Sequence, residues 1–200
     1  MSRVVVYNSM TLDGVMQAPG GPEEDTSGDF KFGGWTVPFW DDFSGNEMGE
    51  QMGVPFDLLL GRKTYEIFAG YWPYHTDIPG AAGLNSSKKY VASQTLNKVD
   101  WNNSTLLKGD VVQAIKKLKE QAGPDLLVYG SSNLIQTLLK NNLMDEYRLF
   151  IFPVLIGNGK RLFGDGTIPV GVKLIDTKTS NTGVILVIYI PGGELKTGSM

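Results

Sequence analysis

The segment Asp125-Leu-Leu-Val-Tyr-Gly-Ser-Ser-Asn-Leu-Ile-Gln-Thr-Leu-Leu139 constrains the fold more than any other. Leu126, Leu127 and Val128 form an apolar run too short for a helix. Gly130 permits a tight turn and the close approach of a ligand. Ser131 or Ser132 can cap a helix in which Leu134, Ile135, Leu138 and Leu139 recur at helical spacing. A helix that opens this way aims free N–H groups and the positive end of its dipole at one point, which suits a phosphate. The same segment also reads as an ordinary βα unit of an α/β domain. The rest of the chain decides between the two.

A second unit of the same kind lies upstream. Asp57-Leu58-Leu59-Leu60 reads as a strand, Gly61 as a turn, and Arg62 to Phe68 as a helix that Tyr71-Trp72-Pro73 stops. Lys89 to Ala92 is a third strand ending at Ser93-Gln94, and Thr105 to Leu107 is a short fourth. Asp110 caps a helix with Val111, Ile115 and Leu118 on its core face, ended by Gly123-Pro124. The chain begins with a strand at Val4 to Asn8 and a turn at Ser9 to Gly14. Ala18 to Gly34 is a long irregular stretch rich in Gly, Pro and acids, of the kind that is either functional or disordered. Pro38 to Met52 is a weakly patterned helix interrupted by Gly45 and Gly49, and Tyr74 to Leu84 is loop. After Leu139 the chain has only strands: Glu146 to Phe152, then Lys173 to Asp176 and Val184 to Ile190 as a closing hairpin. The expected class is α/β, a mostly parallel sheet with antiparallel C-terminal strands. Residues 1–191 form one domain and 192–200 a flexible tail.

Three turns fall where ligands bind such sheets, at the carboxyl ends of the strands. They are Gly61-Arg62-Lys63-Thr64, Ser93-Gln94, and Gly130-Ser131-Ser132-Asn133-Leu134. Together they suit an extended polyanion of dinucleotide size. Arg62 and Lys63 stand in the first turn of a helix, where cations oppose the dipole. Pairing with a ligand phosphate offsets that placement and favours NADP over NAD; a plain surface pair is the alternative. Asp13, after the first strand, is either a turn residue or a substrate-facing carboxylate. Asp41, Asp42, Glu47 and Glu50 offer further carboxylates, mostly on a solvated helix face. Gly157-Asn158-Gly159-Lys160-Arg161 lacks the Walker spacing and reads as a tight turn at a subunit contact. Trp35, Trp40 and Trp72 read first as packing residues.

Composition removes other chemistries. There is no cysteine and one histidine, His75, so disulfides, thiolate nucleophiles and His/Cys metal clusters are excluded. No serine or cysteine partner for His75 suggests a triad. A net charge of −3 offers no basic field for nucleic acid. No apolar run is long enough to span a membrane, and a cytoplasmic protein is expected.

These pieces, in order, resemble the dihydrofolate reductase-like superfamily, and more closely the reductase domain of riboflavin-biosynthesis proteins and its stand-alone bacterial relatives. The resemblance rests on Thr11-Leu12-Asp13-Gly14, Leu59 to Glu66, Val128 to Leu134, and Leu143 to Leu149 running on to Pro153 to Gly159. It implies a central sheet of about eight strands, NADPH as hydride donor and a homodimer. Gly61, Arg62, Lys63, Thr64, Ser93 and Gln94 would hold the adenosine-side phosphates. Gly130, Ser131, Ser132, Asn133 and Leu134 would hold the pyrophosphate, and Asp13 would face the substrate. In that family a second glycine often comes directly after the first in the latter turn; here it is Ser131. The zinc deaminase half of the riboflavin protein has no counterpart. The expected activity is NADPH-dependent reduction of a small pterin-like or pyrimidine/ribityl-type heterocycle, 5-amino-6-(5-phosphoribosylamino)uracil among them. The alternative is a non-catalytic NADP(H)-binding module.

Overall fold

The computed structural model describes residues 1–165 and 167–199. Its strands are β1 (Val4–Thr11), β2 (Phe56–Gly61), β3 (Lys89–Ala92), β4 (Ser104–Leu107), β5 (Asp125–Val128), β6 (Glu146–Phe152), β7 (Gly171–Thr179) and β8 (Ile185–Gly193). They form one sheet in the order β4-β3-β2-β5-β1-β6-β8-β7. The first six run parallel, β8 is antiparallel to β6, and β7 is antiparallel to β8. The helices are α1 (Asp42–Met52), α2 (Arg62–Tyr71), α3 (Ala81–Ser86), α4 (Val111–Glu120) and α5 (Ser132–Lys140). The α/β class, the mostly parallel sheet and the antiparallel C-terminal pair are as the sequence predicts.

Alternation along β1 sorts the core into two layers. Val4 and Val6 pack with Leu126, Val128, Ile115 and Ile135, under α4 and α5. Val5 points the other way, into a cluster with Leu58, Leu60, Tyr65 and Leu84, under α2 and α3. Tyr7, on that same face, joins Phe30, Trp35, Phe150 and Phe152. Each large apolar side chain fully buried there contributes on the order of 1.5–3 kcal/mol. The Ala18 to Gly34 stretch contains no strand or α-helix, yet it is pinned to this second layer. Phe30 is buried, as is nearby Trp35, whose indole N–H donates to the Gln17 carbonyl at 2.8 Å.

Several boundaries differ from the sequence reading. β1 continues to Thr11, because Ser9 to Thr11 pair with Phe150 to Phe152, so the turn shrinks to Thr11 to Gly14. The helix expected from Pro38 starts at Asp42, because the Asp41 side chain caps it and Pro38 sits in a preceding 3₁₀ turn. The loop expected at Tyr74 to Leu84 runs into α3, which is too short to carry a periodic signal. β8 reaches Gly193, paired with Gly171, so the sheet takes two residues of the expected tail; Met200 lies outside the described residues. Lys89 is fully buried. Its ammonium donates to the carbonyls of Asn85 (2.7 Å) and Asn102 (3.1 Å) and stands 4.1 Å over the Trp101 ring. Burial lowers its pKa to about 8. Among the described residues no helix is long and apolar enough to cross a membrane.

Candidate functional site

The carboxyl ends of β1, β2, β3 and β5 open into a cleft of about 1480 Å³, well above the ~300–1,000 Å³ of single-ligand pockets. The order of strands makes this the expected place, because the chain returns from β4 to insert β5 between β2 and β1. Gly61, Arg62, Lys63, Thr64, Ser93, Gln94, Ser131, Ser132, Asn133 and Leu134 all line it. Gly130 stands between two lining residues and backs the wall.

Besides the six-residue α3, whose cap residue Gly80 also lines the cleft, two longer helices begin here, and both begin uncapped. α2 starts after Gly61 and α5 after Ser131, and neither has a side-chain cap hydrogen bond among the described residues. The contrast is internal to the fold. Asp41 caps α1 by accepting from Ser44 N–H at 3.1 Å, and Asp110 caps α4 by accepting from Gln113 N–H at 3.0 Å. Uncapped N-termini leave free N–H donors and the positive dipole end, here aimed into one cleft.

The turns that carry these two helices are locked together. Gly61 N–H donates to the Gly130 carbonyl at 3.2 Å. A Cβ on Gly61 would overlap the Ser131 hydroxyl, and one on Gly130 would lie 2.7 Å from Thr64 Oγ1. Gly130 also has φ +140°, which a side chain would strain. The Ser93 hydroxyl accepts from Thr95 N–H (3.2 Å) and Leu96 N–H (3.0 Å), and the Gln94 amide donates to the Gly109 carbonyl (2.9 Å). These two residues therefore shape the rim through their own loop.

The charges are unevenly distributed. Among the described residues Arg62 reaches only an exposed Glu66, at 3.4 Å. Lys63 and Lys160 both approach the buried carboxylate of Asp25, at 4.0 and 2.6 Å. Burial alone would raise the Asp25 pKa, but hydrogen bonds from Lys160 and Ser27 outweigh it and hold the group below its ordinary value. Glu24 also lines the cleft, without a cation partner among the described residues. Burial raises its pKa, against hydrogen bonds from Gly20 and Gly21 N–H. Glu24, Asp25 and Lys160 escape the sequence reading. Their only signal is membership of the acid-rich loop and of the 157–161 turn, and that turn is a cleft wall at Lys160.

Asp13 is not among the residues that line the cleft. Its carboxylate accepts from the Thr11 hydroxyl (2.5 Å), Gly157 N–H (2.7 Å) and Ile156 N–H (3.3 Å), while Arg161 approaches it at 3.8 Å and donates to its carbonyl. The Thr11 bond leads in lowering its pKa. Asp13 is thus the clasp between the turn after β1 and the 156–161 loop. Of the other carboxylates, Asp41 is a cap and Glu47 pairs with Lys178 at 2.6 Å. His75 stacks on Tyr71 outside the cleft. Trp35 is core, whereas Trp40 and Trp72 line the cleft.

The sequence matches the RibD C-terminal domain over residues 2–187. The uncharacterized protein YyaP of Bacillus subtilis (strain 168) is 35% identical over 136 residues, covering 66% of this chain and 72% of YyaP. Among solved structures, a Shewanella sp. PV-4 protein provisionally assigned to riboflavin biosynthesis superposes with a TM-score of 0.70 at 23% identity, over 96% of this chain and 99% of its own. The Thermotoga maritima diaminohydroxyphosphoribosylaminopyrimidine deaminase/5-amino-6-(5-phosphoribosylamino)uracil reductase gives 0.62 at 18%, over 95% of this chain and 56% of that one. The Enterococcus faecalis dihydrofolate reductase complexed with NADP(H) gives 0.60 at 13%, over 95% and 96%. The fold is dihydrofolate reductase-like.

Proposed function

We propose that the chain, which belongs to the RibD C-terminal domain family, is an NADPH-dependent reductase of a small heterocycle of pyrimidine or pterin type. The observation that carries this reading is the pair of uncapped helix N-termini at one cleft, beside a third turn at Ser93-Gln94. A dinucleotide fits that donor set. Gly61, Arg62, Lys63, Thr64, Ser93 and Gln94 would hold its adenosine-side phosphates, and Gly130 to Leu134 its pyrophosphate. Arg62, paired among the described residues only with the exposed Glu66, would meet the 2′-phosphate. NADPH, when bound, supplies the hydride. The remaining tasks fall to the chain. The α2 and α5 N-termini orient the bound group, and the buried cleft walls exclude water. Glu24, a cleft carboxyl whose pKa burial raises, would relay the proton, a role the sequence also offers to Asp13. Reductase names among the structural neighbours, one complexed with NADP(H), support the same reading.

The reading includes a homodimer through β7, which exposes Val172, Leu174 and Ile175; a monomer in sedimentation equilibrium would remove that part. The alternative, an NADP(H)-binding module without turnover, is favoured by the position of Asp13 away from the cleft. The deciding experiment is a fluorescence titration with NADPH and NADH, on wild type and Arg62→Ala, and then oxidation assays on pyrimidine and pterin acceptors. Arg62→Ala weakens NADPH by ~1–3 kcal/mol and leaves NADH unchanged. An unaltered preference removes the cofactor assignment at Arg62, and binding without oxidation of NADPH selects the module.

A further inference from the structure

We infer that Asn158-Gly159 is a site of spontaneous deamidation, and that its conversion to isoaspartate unfastens the cleft wall that Lys160 and Asp25 make. This chemistry needs no cofactor or substrate and concerns the ageing of the chain itself.

An asparagine followed by glycine loses its amide readily, because glycine has no Cβ to keep its nitrogen away from the preceding side chain. The Gly159 nitrogen attacks Asn158 Cγ. The new N–Cγ bond closes a succinimide ring, the bond from Cγ to the amide nitrogen breaks, and ammonia leaves with the proton that Gly159 N–H gives up. Water then opens the ring at either carbonyl, to aspartate or to isoaspartate. Nothing is oxidised or reduced, and water is the only co-reactant.

The chain has one Asn-Gly pair, and the fold leaves it unguarded. Asn158 and Gly159 are both exposed. Among the described residues the Asn158 side chain has no hydrogen-bond partner and the Gly159 N–H no acceptor. The amides on either side are held: Ile156 and Gly157 N–H by Asp13, and Lys160 N–H by the Gln17 side chain at 3.0 Å. Asparagines that precede a serine are held too. Asn8 is buried in β1 and donates to the Tyr129 carbonyl at 3.0 Å. Asn85 donates to the Trp72 carbonyl (2.9 Å) and accepts from the Trp101 indole (2.8 Å), and Asn103 donates to the Ser86 carbonyl (2.9 Å). Asp13-Gly14 could close the same ring, but its carboxylate is fixed by Thr11, Ile156 and Gly157.

The seat of Gly159 turns this local change into a structural one. Its φ is +126°, and a Cβ there would lie 2.8 Å from Val15 Cγ1 and 2.9 Å from Phe30 Cε2. Both of those side chains are buried, so the backbone is close-packed on that side. Isoaspartate routes the chain through Cβ and Cγ and lengthens it by a methylene directly before this seat. An extra methylene against packed side chains forces the backbone to shift. The shift falls on Lys160. Its N–H holds Gln17, its carbonyl accepts from Met16 N–H at 2.8 Å, and its ammonium reaches Asp25 at 2.6 Å and the Ser27 hydroxyl at 2.7 Å. These bonds fasten the Asp25 to Ser27 segment to the cleft wall. The new carboxylate, two residues from Lys160, also competes with Asp25 for that ammonium.

The test ages the full chain in warm, mildly alkaline buffer beside two variants. Asn158→Gln has a longer side chain that closes the ring far more slowly, and Asn158→Asp carries the charge without the added methylene. Peptide mass mapping and methyltransferase labelling of isoaspartate follow the chemistry. Thermal melts follow the wall, as does trypsin cleavage after the exposed Lys31, the only lysine or arginine between 18 and 34. Asn158 of wild type converts at least tenfold faster than any other asparagine, mainly to isoaspartate. The converted protein melts lower than fresh protein and is cut after Lys31 at least tenfold faster. Asn158→Gln keeps its melting temperature and its resistance through the same incubation, and fresh Asn158→Asp stays nearer to fresh wild type than to the aged protein. An unconverted Asn158, or another asparagine that converts faster, overturns the site. Conversion with unchanged melting and cleavage, equal losses in aged Asn158→Gln, or a fresh Asn158→Asp that behaves like aged wild type overturns the unfastening.

Discussion

Gly61→Ala tests whether the two cleft turns are one mechanical unit. Gly61 has φ −75° and ψ 161°, a conformation open to any residue, so backbone strain plays no part. Restricting the unfolded chain would by itself make alanine stabilising by ~0.4–1 kcal/mol. Packing opposes this. The new Cβ would overlap the Ser131 hydroxyl and sit 3.0 Å from Ser131 N and 3.2 Å from Ser131 Cβ. One of these atoms is backbone at the start of α5, so the strain passes into the helix. Overpacking of this kind costs ~1–3 kcal/mol, and the net loss is roughly 1–2 kcal/mol, or ~2–8 °C in melting temperature for a chain of this size. NADPH affinity should fall with it, because both helix N-termini shift. Adding Ser131→Gly removes the hydroxyl and Cβ and leaves one tight contact, so the double variant recovers most of the loss. The assay is a thermal double-mutant cycle with an NADPH titration on each variant. A Gly61→Ala protein that melts at or above wild type, or a double variant equal to the sum of the singles, refutes the locked-turn argument.

Two other expectations concern residues that do not line the cleft. Lys89 has a folded pKa of about 8 against an ordinary 10.5. Between those values the unfolded chain binds more protons, so stability rises with pH across that window, by at most ~3 kcal/mol; urea midpoints at pH 8, 9 and 10 should show the rise in wild type and lose it in Lys89→Met. Asp13, whose pKa is lowered in the fold, contributes stability that is present above its unfolded pKa and lost as pH falls through the folded value. Asp13→Asn should therefore cost ~1 kcal/mol near neutrality and flatten the acid limb of the stability curve. Its NADPH affinity should match wild type; a tenfold loss would return Asp13 to the site.

The two strand–glycine–helix units are legible because short apolar runs, glycine turns and helical periodicity are local signals. Leu58 to Leu60 and Leu126 to Val128 are central strands for that reason, and Asp110 is a cap for a local reason too. The cleft wall made by the α2 and α5 turns inherits that legibility, since its residues sit directly after those strands. The opposite wall does not. Glu24 and Asp25 lie on a loop with no period, and Lys160 reaches Asp25 across 135 residues. The alternation of β1 puts Tyr7 on one face. Only the insertion of β5 beside β1 brings Tyr129 against it and leaves both hydroxyls without partners among the described residues. The position of Asp13 after the first strand is local information, whereas its partners Ile156 and Gly157 are distant, so its clasp could not be read from the sequence.

The cap pattern sharpens the condition under which a helix start becomes a ligand site. α1, α2, α4 and α5 all have free N–H groups at their origin, so a dipole alone does not distinguish them. α1 and α4 carry aspartate at the cap position and satisfy themselves. Gly61 before α2 has no side chain to give. Ser131 before α5 is a residue type that commonly caps, yet it makes no cap bond, and its hydroxyl instead packs against the bare face of Gly61. The glycine of one turn therefore has two effects. It leaves its own helix open, and it draws the serine of the other turn away from the N–H groups that serine would otherwise occupy. The space beside Gly61 is filled by the Ser131 side chain, and the N-terminus of α5 stays available. An alanine at 61 would push on that serine, and so on the opening of both helices at once.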